Sequence, residues 1–245
     1  MVNHDFNALH TAMQAQVDQE FLPGVSTALF KGREVVDTFC YGFADREAKS
    51  LLREDHIFRI FSNTKLITSC AVLMLFEEGR IQWDDPIEAY IPELGARQVL
   101  KIGATRIDDV EPAKTSITIH HLMTHTSGLS YGVFDPGSVL FDAYNKAVVM
   151  HPGKPLSEMM NTLASLPLSF QPGTQWEYSV ATDVLGRLVE VVSGESFGTF
   201  LSRRIFEPLG MVDTDFWVPE AKLDRLWALY VGVDILDPSK PGLLR

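Results

Sequence analysis

A helix and a β-hairpin precede a long series of short helices in this chain, and that order constrains its fold most strongly. Apolar residues recur at helical spacing before Pro23-Gly24, at Phe6, Leu9, Met13 and Val17. Two strand-like runs follow, Val25–Phe30 and Glu34–Tyr41, and the turn Lys31-Gly32-Arg33 joins them. The pattern predicts a small sheet layer with a mostly helical domain inserted after it.

The clearest helix is predicted from Thr64 to Glu78, with Gly79 as the residue that ends it. Its apolar stripe consists of Ile67, Cys70, Ala71, Met74 and Leu75. Shorter helices, interrupted by proline and glycine, are predicted at Pro86–Tyr90, Ile119–Thr124, Leu156–Leu166, Val180–Val192 and Phe197–Ile205. Gly42–Glu54, Leu94–Thr115 and Gly128–Pro155 are predicted to be connections without regular structure.

Composition excludes several classes of protein. With 245 residues, 46% of them hydrophobic, the chain can bury a sizeable core, so general disorder is excluded. The formal net charge of −11 argues against a nucleic-acid partner and against an anionic membrane surface. The longest fully apolar stretch, Cys70–Phe76, is too short to span a bilayer, and the first residues do not resemble a secretory signal. We therefore expect a cytoplasmic protein in which Cys40 and Cys70 are buried free thiols.

Ser62-Asn63-Thr64-Lys65 is the first candidate for chemistry. An S-x-x-K pattern is weak on its own, but here it lies where a short apolar run meets the clearest helix. Ser62 is therefore expected at the N-terminus of the helix, with Lys65 one turn later on the same face. The helix start favours a developing oxyanion, and a lysine amine can accept the serine proton. The alternative is a capping serine beside a solvated lysine.

Two other candidates are left open or unfavoured by their own residues. Tyr178, in Trp176-Glu177-Tyr178-Ser179-Val180, precedes an apolar helix, where it either projects a phenol or is half-buried. His121 and His125 have a spacing that zinc sites use, but Leu122 stands where a zincin glutamate would be. Packed, hydrogen-bonded histidines are the better interpretation, and we predict neither a metal nor a cofactor.

Gly194-Glu195-Ser196-Phe197-Gly198 matches the nucleophile motif of α/β-hydrolases. That motif requires a strand before it and a histidine after it, whereas the residues before it are helical by periodicity and His151 is the last histidine. Ser196 is therefore rejected as a nucleophile.

Three segments occurring in order give the chain a family resemblance: Phe61–Lys65, His121–Gly128 and Pro172–Ser179. Together they resemble the serine β-lactamase-like superfamily, and most closely the family VIII carboxylesterases, over about residues 23–229. The resemblance implies an α/β (α+β) fold like that of β-lactamases and penicillin-binding proteins, in which an antiparallel sheet domain with flanking helices carries an inserted, mostly helical domain. Applied to this chain, it implies a sheet domain beginning in residues 1–65, a helical domain at 66–205 and a return to the sheet domain at 206–245.

The resemblance also assigns roles to residues. Ser62 would be the acylated nucleophile, Lys65 its general base, and Tyr178 the group that transfers protons to the leaving group and from the deacylating water. Lactamases of this family usually carry Tyr-x-Asn, whereas this chain has Tyr178-Ser179-Val180, which favours an esterase. Tyr131 is a further candidate for lining the substrate pocket.

The family's third motif, a Lys/His/Trp-x-Gly strand element, is not found after Leu229. We therefore expect an incomplete sheet, either because the chain is a truncated portion or because a separate C-terminal segment completes it, since unpaired strands leave an exposed edge. The predicted function is cleavage of small-molecule, short-chain carboxylic esters through an acyl-enzyme on Ser62. The alternatives are an acyltransferase or weak β-lactamase that uses the same serine, or an inactive fragment with a binding or assembly role.

Overall fold

The computed structural model describes residues 5–234, 237 and 239–245. The described part of the chain divides into two compact units. One unit comprises the described residues of Met1–Phe61 together with those of Asp215–Arg245, and the other comprises Ser62–Thr214. The domain boundaries inferred from the sequence remain predictions.

The first unit is built on a three-stranded antiparallel sheet. Strands β1 (Gly24–Lys31), β2 (Glu34–Asp45) and β3 (Ser50–Leu51) pair in the order β1-β2-β3. Between β1 and β2, the register pairs Lys31 with Glu34 at the turn and shifts between Leu29 and Phe30, as in a β-bulge. Helix α1 (Asn7–Asp18) packs against the first two strands. The hairpin is thus the one predicted, because the glycine turn and alternating apolar residues determine the pairing.

The second unit is mostly helical. Its helices are α2 (Thr64–Glu77), α3 (Ile119–Met123), α4 (Val139–Lys146), α5 (Leu156–Ala164), α6 (Ala181–Ser193), α7 (Phe197–Leu201) and α8 (Glu207–Leu209). A π-helical segment, Ser202–Phe206, connects α7 to α8. Short 3₁₀ turns occur at Ile87–Ala89 and Pro92–Leu94, and strands β4 (Gln98–Leu100) and β5 (Val110–Pro112) form a small hairpin.

Helix α6 is the centre of the hydrophobic core of this unit. It packs against α2, α3, α5 and α7. Its apolar face is fully buried, including Val184, Leu185, Leu188 and Val189. Helix α2 presents Ala71, Val72 and Leu75 to the same core, and Phe200 of α7 is the largest side chain completely removed from solvent. Because α2 and α6 are held by one core, the residues at their N-terminal ends are fixed relative to each other.

Three connections predicted to be irregular contain regular structure. Gly42–Glu54 includes the end of β2 and all of β3, Leu94–Thr115 includes β4 and β5, and Gly128–Pro155 includes α4. These predictions were wrong because two- and three-residue strands are too short to show alternation. Helix α4 was missed because Pro136-Gly137 immediately precedes its Ser138 cap, whose side chain accepts a hydrogen bond from Phe141.

The prediction that both cysteines are buried was wrong. Cys40 is half-buried on β2, and Cys70 is exposed on α2; both are free thiols. The buried face of α2 runs through Thr68, Ala71, Val72 and Leu75, so Cys70 lies on the opposite edge of the helix. No helix in the described part of the chain is both long enough and apolar enough to cross a membrane.

Residues Glu220–Arg225 of the first unit form a 3₁₀ helix, and β6 (Val231–Gly232) pairs with β7 (Leu243–Leu244). Ile57 forms an isolated bridge with Leu226, so the end of this unit pairs with the segment that leads into α2.

Candidate active site

Ser62 and Lys65 meet at the start of α2. Ser62 is exposed in the 3₁₀ turn Phe61–Asn63, which continues directly into the helix. The preceding Phe61 has a φ of +43°, an unusual conformation for a non-glycine residue and one often found beside functional groups. Lys65 lies in the first turn of α2, and its Nζ is 3.4 Å from Ser62 Oγ. The sequence spacing predicted this pair, although Ser62 precedes the helix by two residues rather than beginning it.

Tyr178 joins the pair from a distant part of the sequence. It lies in the loop before α6, and its hydroxyl donates a hydrogen bond to Ser62 Oγ at 2.7 Å. The ring of Tyr178 also faces Lys65, whose Nζ is 4.7 Å from the ring centroid. The structure therefore brings Ser62, Lys65 and Tyr178 together around a single hydroxyl oxygen.

The charge of Lys65 affects the acidity of its neighbours. Burial raises the pKa of the Tyr178 phenol, but hydrogen bonds to Lys65 and Ser62 and the positive charge of Lys65 outweigh this effect. The net result is a pKa below the ordinary value for tyrosine. Burial raises the pKa of the Asp183 carboxyl in the first turn of α6, while Lys65 opposes that increase. The site thus contains a phenol that loses its proton more readily than a free tyrosine does.

Aromatic side chains surround Tyr178 and form one wall of a cavity. The Tyr131 ring is stacked on the Tyr178 ring with their centroids 5.5 Å apart, and the Phe134 ring contacts the Tyr178 ring edge-on with centroids 5.9 Å apart. The cavity has a volume of about 650 Å³, and Trp176 lines it as well. Polar groups are also present in the lining, among them Lys101, Asp135, Ser138, Gln175 and Glu177. Tyr131 therefore lies beside Tyr178 on the wall of a space large enough for a small organic molecule.

Backbone hydrogen bonds attach the Tyr178 loop to the segment after α3. The amide of Gly173 donates to the Thr126 carbonyl at 2.8 Å, and the amide of Val180 donates to the Ser130 carbonyl at 3.2 Å. Between these two bonds, Gly128 has a φ of +81°, and a Cβ there would overlap the Phe170 carbonyl oxygen. A glycine is therefore required at this position for the two segments to pair.

The two histidines with zinc-like spacing have separate partners. His121 belongs to the capping box of α3, in which its Nδ1 accepts from the Thr118 amide at 3.2 Å. His125 Nδ1 accepts from the Ser179 amide at 3.2 Å and lies 3.1 Å from Ser179 Oγ. Across residues 5–234, 237 and 239–245, no group of three or more histidine, cysteine or carboxylate side chains could hold a metal ion. Sequence reasoning missed the contact of His125 with the Tyr178 loop, because no local pattern links positions 54 residues apart.

Ser196, the serine of the G-x-S-x-G pattern, caps a helix. Its Oγ accepts from the Thr199 amide at 3.2 Å at the start of α7. The residues before it belong to helix α6, not to a strand. A nucleophile of the α/β-hydrolase type would instead follow a strand.

Comparisons with known proteins agree with this architecture. The family model described as Beta-lactamase matches residues 9–243. Esterase EstB of Burkholderia gladioli is 35% identical over 218 residues, which cover 86% of this chain and 53% of that protein. Acyltransferase calJ of Penicillium decumbens is 35% identical over 163 residues, which cover 66% of this chain and 38% of that protein.

Among solved structures, "EstCE1, a hydrolase with promiscuous acyltransferase activity" superposes with a TM-score of 0.81 at 24% identity. That match covers 98% of this chain and 58% of the solved one.

The chain belongs to the β-lactamase family. The predicted α/β class and the β-lactamase or penicillin-binding-protein-like fold are confirmed. The chain spans about half the length of Esterase EstB.

Proposed function

We propose that this chain carries the nucleophile and the proton-transfer groups of a serine ester hydrolase related to the family VIII carboxylesterases. The observation that carries the proposal is the contact of one serine oxygen with two potential proton carriers. Ser62 Oγ lies 2.7 Å from Tyr178 Oη and 3.4 Å from Lys65 Nζ. The similarity to a protein named Esterase EstB supports the choice of an ester as substrate.

In the acylation step, Ser62 Oγ attacks the ester carbonyl carbon while its proton passes to an ionised Tyr178, or to Lys65 Nζ when that amine is in its neutral form. The negative charge that develops on the carbonyl oxygen is favoured near the N-terminal end of α2. The carbon–oxygen bond to the alcohol then breaks, and the proton taken from Ser62 is returned to the departing alkoxide. The products of this step are the free alcohol and an acyl group esterified to Ser62.

Deacylation repeats the sequence with water as the nucleophile. An ionised Tyr178, or Lys65 when its amine is neutral, accepts one proton from the water as it attacks the acyl carbonyl carbon, and the same group returns a proton to Ser62 Oγ as that bond breaks. A carboxylic acid is released and the serine is restored. The aromatic wall of Tyr131, Phe134 and Trp176 would contact apolar substrate groups during both steps, with short acyl chains as the expected substrates.

A second candidate function is acyl transfer to an alcohol, which the similarity to Acyltransferase calJ favours. The two functions share the acyl-enzyme and differ only in the molecule that attacks it. The ratio of acid to new ester formed when butanol is added at increasing concentration distinguishes them. The weak lactamase activity, the cytoplasmic location and the separate C-terminal segment stay predictions from the sequence.

Intact-mass spectrometry of the chain after exposure to an aryl phosphonate tests the nucleophile. We expect a single adduct in the natural chain and none in Ser62→Ala. The matched control is Ser196→Ala, which removes the other serine in a hydrolase-like pattern and should keep the adduct. A folded Ser62→Ala variant that is still labelled to the same extent would overturn the assignment of Ser62.

A further inference from the structure

His125 contacts the Tyr178 loop on both sides of Tyr178. Its carbonyl oxygen accepts from the Glu177 amide at 3.0 Å, and its Nδ1 accepts from the Ser179 amide at 3.2 Å. Between those two bonds, the imidazole ring lies against the Tyr178 ring, with centroids 5.0 Å apart. His125 itself has a φ of +55°, a conformation that few non-glycine residues adopt. One residue in a strained conformation therefore holds the backbone and the ring of Tyr178 together.

The hydrogen bonds of Ser179 define the protonation state that this arrangement needs. Ser179 Oγ accepts from the Ala181 amide at 3.3 Å, which leaves its hydroxyl hydrogen free to point at His125 Nδ1, 3.1 Å away. Nδ1 therefore receives the Ser179 amide and the Ser179 hydroxyl, and both are donors. An unprotonated Nδ1 can accept from them, whereas a protonated Nδ1 would direct its own hydrogen at the amide hydrogen.

We propose that neutral His125 is a positioning residue, which keeps the Tyr178 hydroxyl on Ser62 and releases it when the imidazole is protonated. The proposal rests on the proposed function for its catalytic consequence, but not for its structural one. The titratable groups that act on the His125 imidazole are Lys65 of α2 and Tyr178 of the loop. Glu177 contacts His125 through its backbone amide, and Asp183 at the start of α6 interacts with Lys65. Among these, Lys65 opposes a second positive charge on the imidazole.

The direction of the pH dependence follows. Burial, and then the positive charge of Lys65, hold the pKa of His125 below 6.5, its ordinary value. At pH 7 the imidazole is therefore neutral, and its Nδ1 accepts the hydrogen bond that holds the Tyr178 loop. As the pH falls through this lowered pKa, protonation makes the contact between Nδ1 and the Ser179 amide repulsive, so activity should decline on the acid side.

Two substitutions separate positioning from simple packing. In His125→Asn, the amide oxygen stands the same number of bonds from Cα as Nδ1, and asparagine tolerates positive φ. It keeps an acceptor but cannot titrate. His125→Ala removes the acceptor. Because a displacement of about 1 Å can cost about 100-fold in rate, we expect kcat to fall about 10- to 100-fold in His125→Ala, with KM changed by less than about threefold. His125→Asn should keep kcat within about threefold and lose the acid decline.

The control is His120→Asn, which removes an exposed histidine and should leave the pH profile unchanged. A second measurement does not need catalysis. Ultraviolet spectra are recorded across a pH titration, and the spectra of the Tyr178→Phe variant are subtracted from them, which leaves the titration of the Tyr178 phenol alone. The pKa of Tyr178 should return toward 10.0 in His125→Ala and remain low in His125→Asn. If His125→Ala folds and keeps both kcat and the lowered phenol pKa, the proposal is refuted. If the natural chain does not hydrolyse esters but the phenol titrates as expected, the proposed function fails and the positioning role stands.

Discussion

Replacing Tyr178 with phenylalanine removes one oxygen and keeps the ring. The ring contacts with His125, Tyr131 and Phe134 are retained, so the loop should keep its place. The interactions lost are the hydrogen bond between Tyr178 Oη and Ser62 Oγ, which is 2.7 Å long, and the hydrogen bond of the phenol with Lys65, both at an exposed site. We therefore expect the free energy of unfolding to change by less than about 1 kcal/mol.

The expected loss of activity is much larger than this change in stability. A positioned proton-transfer group contributes roughly 10²- to 10⁴-fold to the rate. Since each factor of ten corresponds to about 1.36 kcal/mol, the barrier should rise by about 2.7 to 5.4 kcal/mol. Both acylation and deacylation should slow, because Tyr178 serves in both steps. The pKa of the Tyr178 phenol is lowered, so the rate of the natural chain should rise as the pH increases toward that value. Tyr178→Phe should lose this increase.

Stopped-flow release of nitrophenol from a short-chain nitrophenyl ester measures acylation as the burst and deacylation as the later steady rate. Ser62→Ala provides the blank. Tyr90→Phe is the matched control, because it also removes one phenol oxygen, here one that donates to Asp85 at 2.6 Å in a different part of the second unit. A Tyr178→Phe variant with both rates within tenfold of the natural chain would refute the assigned role. So would a loss of rate that merely follows a loss of folded protein.

Four further substitutions test other parts of the second unit. Gly128→Ala places a Cβ against the Phe170 carbonyl oxygen at a residue whose backbone is left-handed. Urea unfolding should therefore show that the free energy of unfolding falls by about 2 to 5 kcal/mol, and a fall of less than about 1 kcal/mol would contradict this. Arg97→Met removes a buried guanidinium that donates to two carbonyls at the end of α5. The free energy of unfolding should therefore fall by about 1 to 3 kcal/mol in the same measurement, whereas an unchanged value would show that solvent satisfies those carbonyls. Phe134 and Trp176 both line the cavity. Replacing either one with alanine should raise KM for a naphthyl ester about tenfold and change KM for a methyl ester by less than about twofold. Equal changes in KM for the two esters would contradict that role.

The parts of the fold that the sequence predicted best are those specified by local periodicity. Helix α2 was expected over residues 64–78 and spans Thr64–Glu77, because its apolar residues repeat at helical spacing and Gly79 follows. The exposure of Cys70 could not be read in the same way. An apolar stripe defines a face only to within about one residue, and α6 determines which edge of α2 is buried.

In the candidate site too, local contacts could be predicted from the sequence and long-range contacts could not. Ser62 and Lys65 are three residues apart at the start of a helix, so helical geometry alone predicts that they meet. Tyr178 is 116 residues from Ser62, and no local rule connects them. Only the family resemblance suggested that connection. His125 was weighed as a metal ligand because its spacing from His121 is visible in sequence, whereas its hydrogen bonds to the Tyr178 loop are not.

The contact between Ser62 and Tyr178 therefore depends on how the second unit packs rather than on either motif alone. Ser62 and Lys65 are attached to α2, and Tyr178 precedes α6; these two helices share one buried core. The loop carrying Tyr178 is then fastened to the segment around Gly128, which must be glycine for the two backbones to approach. A substitution that loosens this segment should reduce activity before it unfolds the protein, because a hydroxyl displaced by 1 Å is already misplaced for proton transfer. Substitutions at Gly128 and His125 should thus affect both stability and activity, although neither residue is one of the groups proposed to transfer a proton.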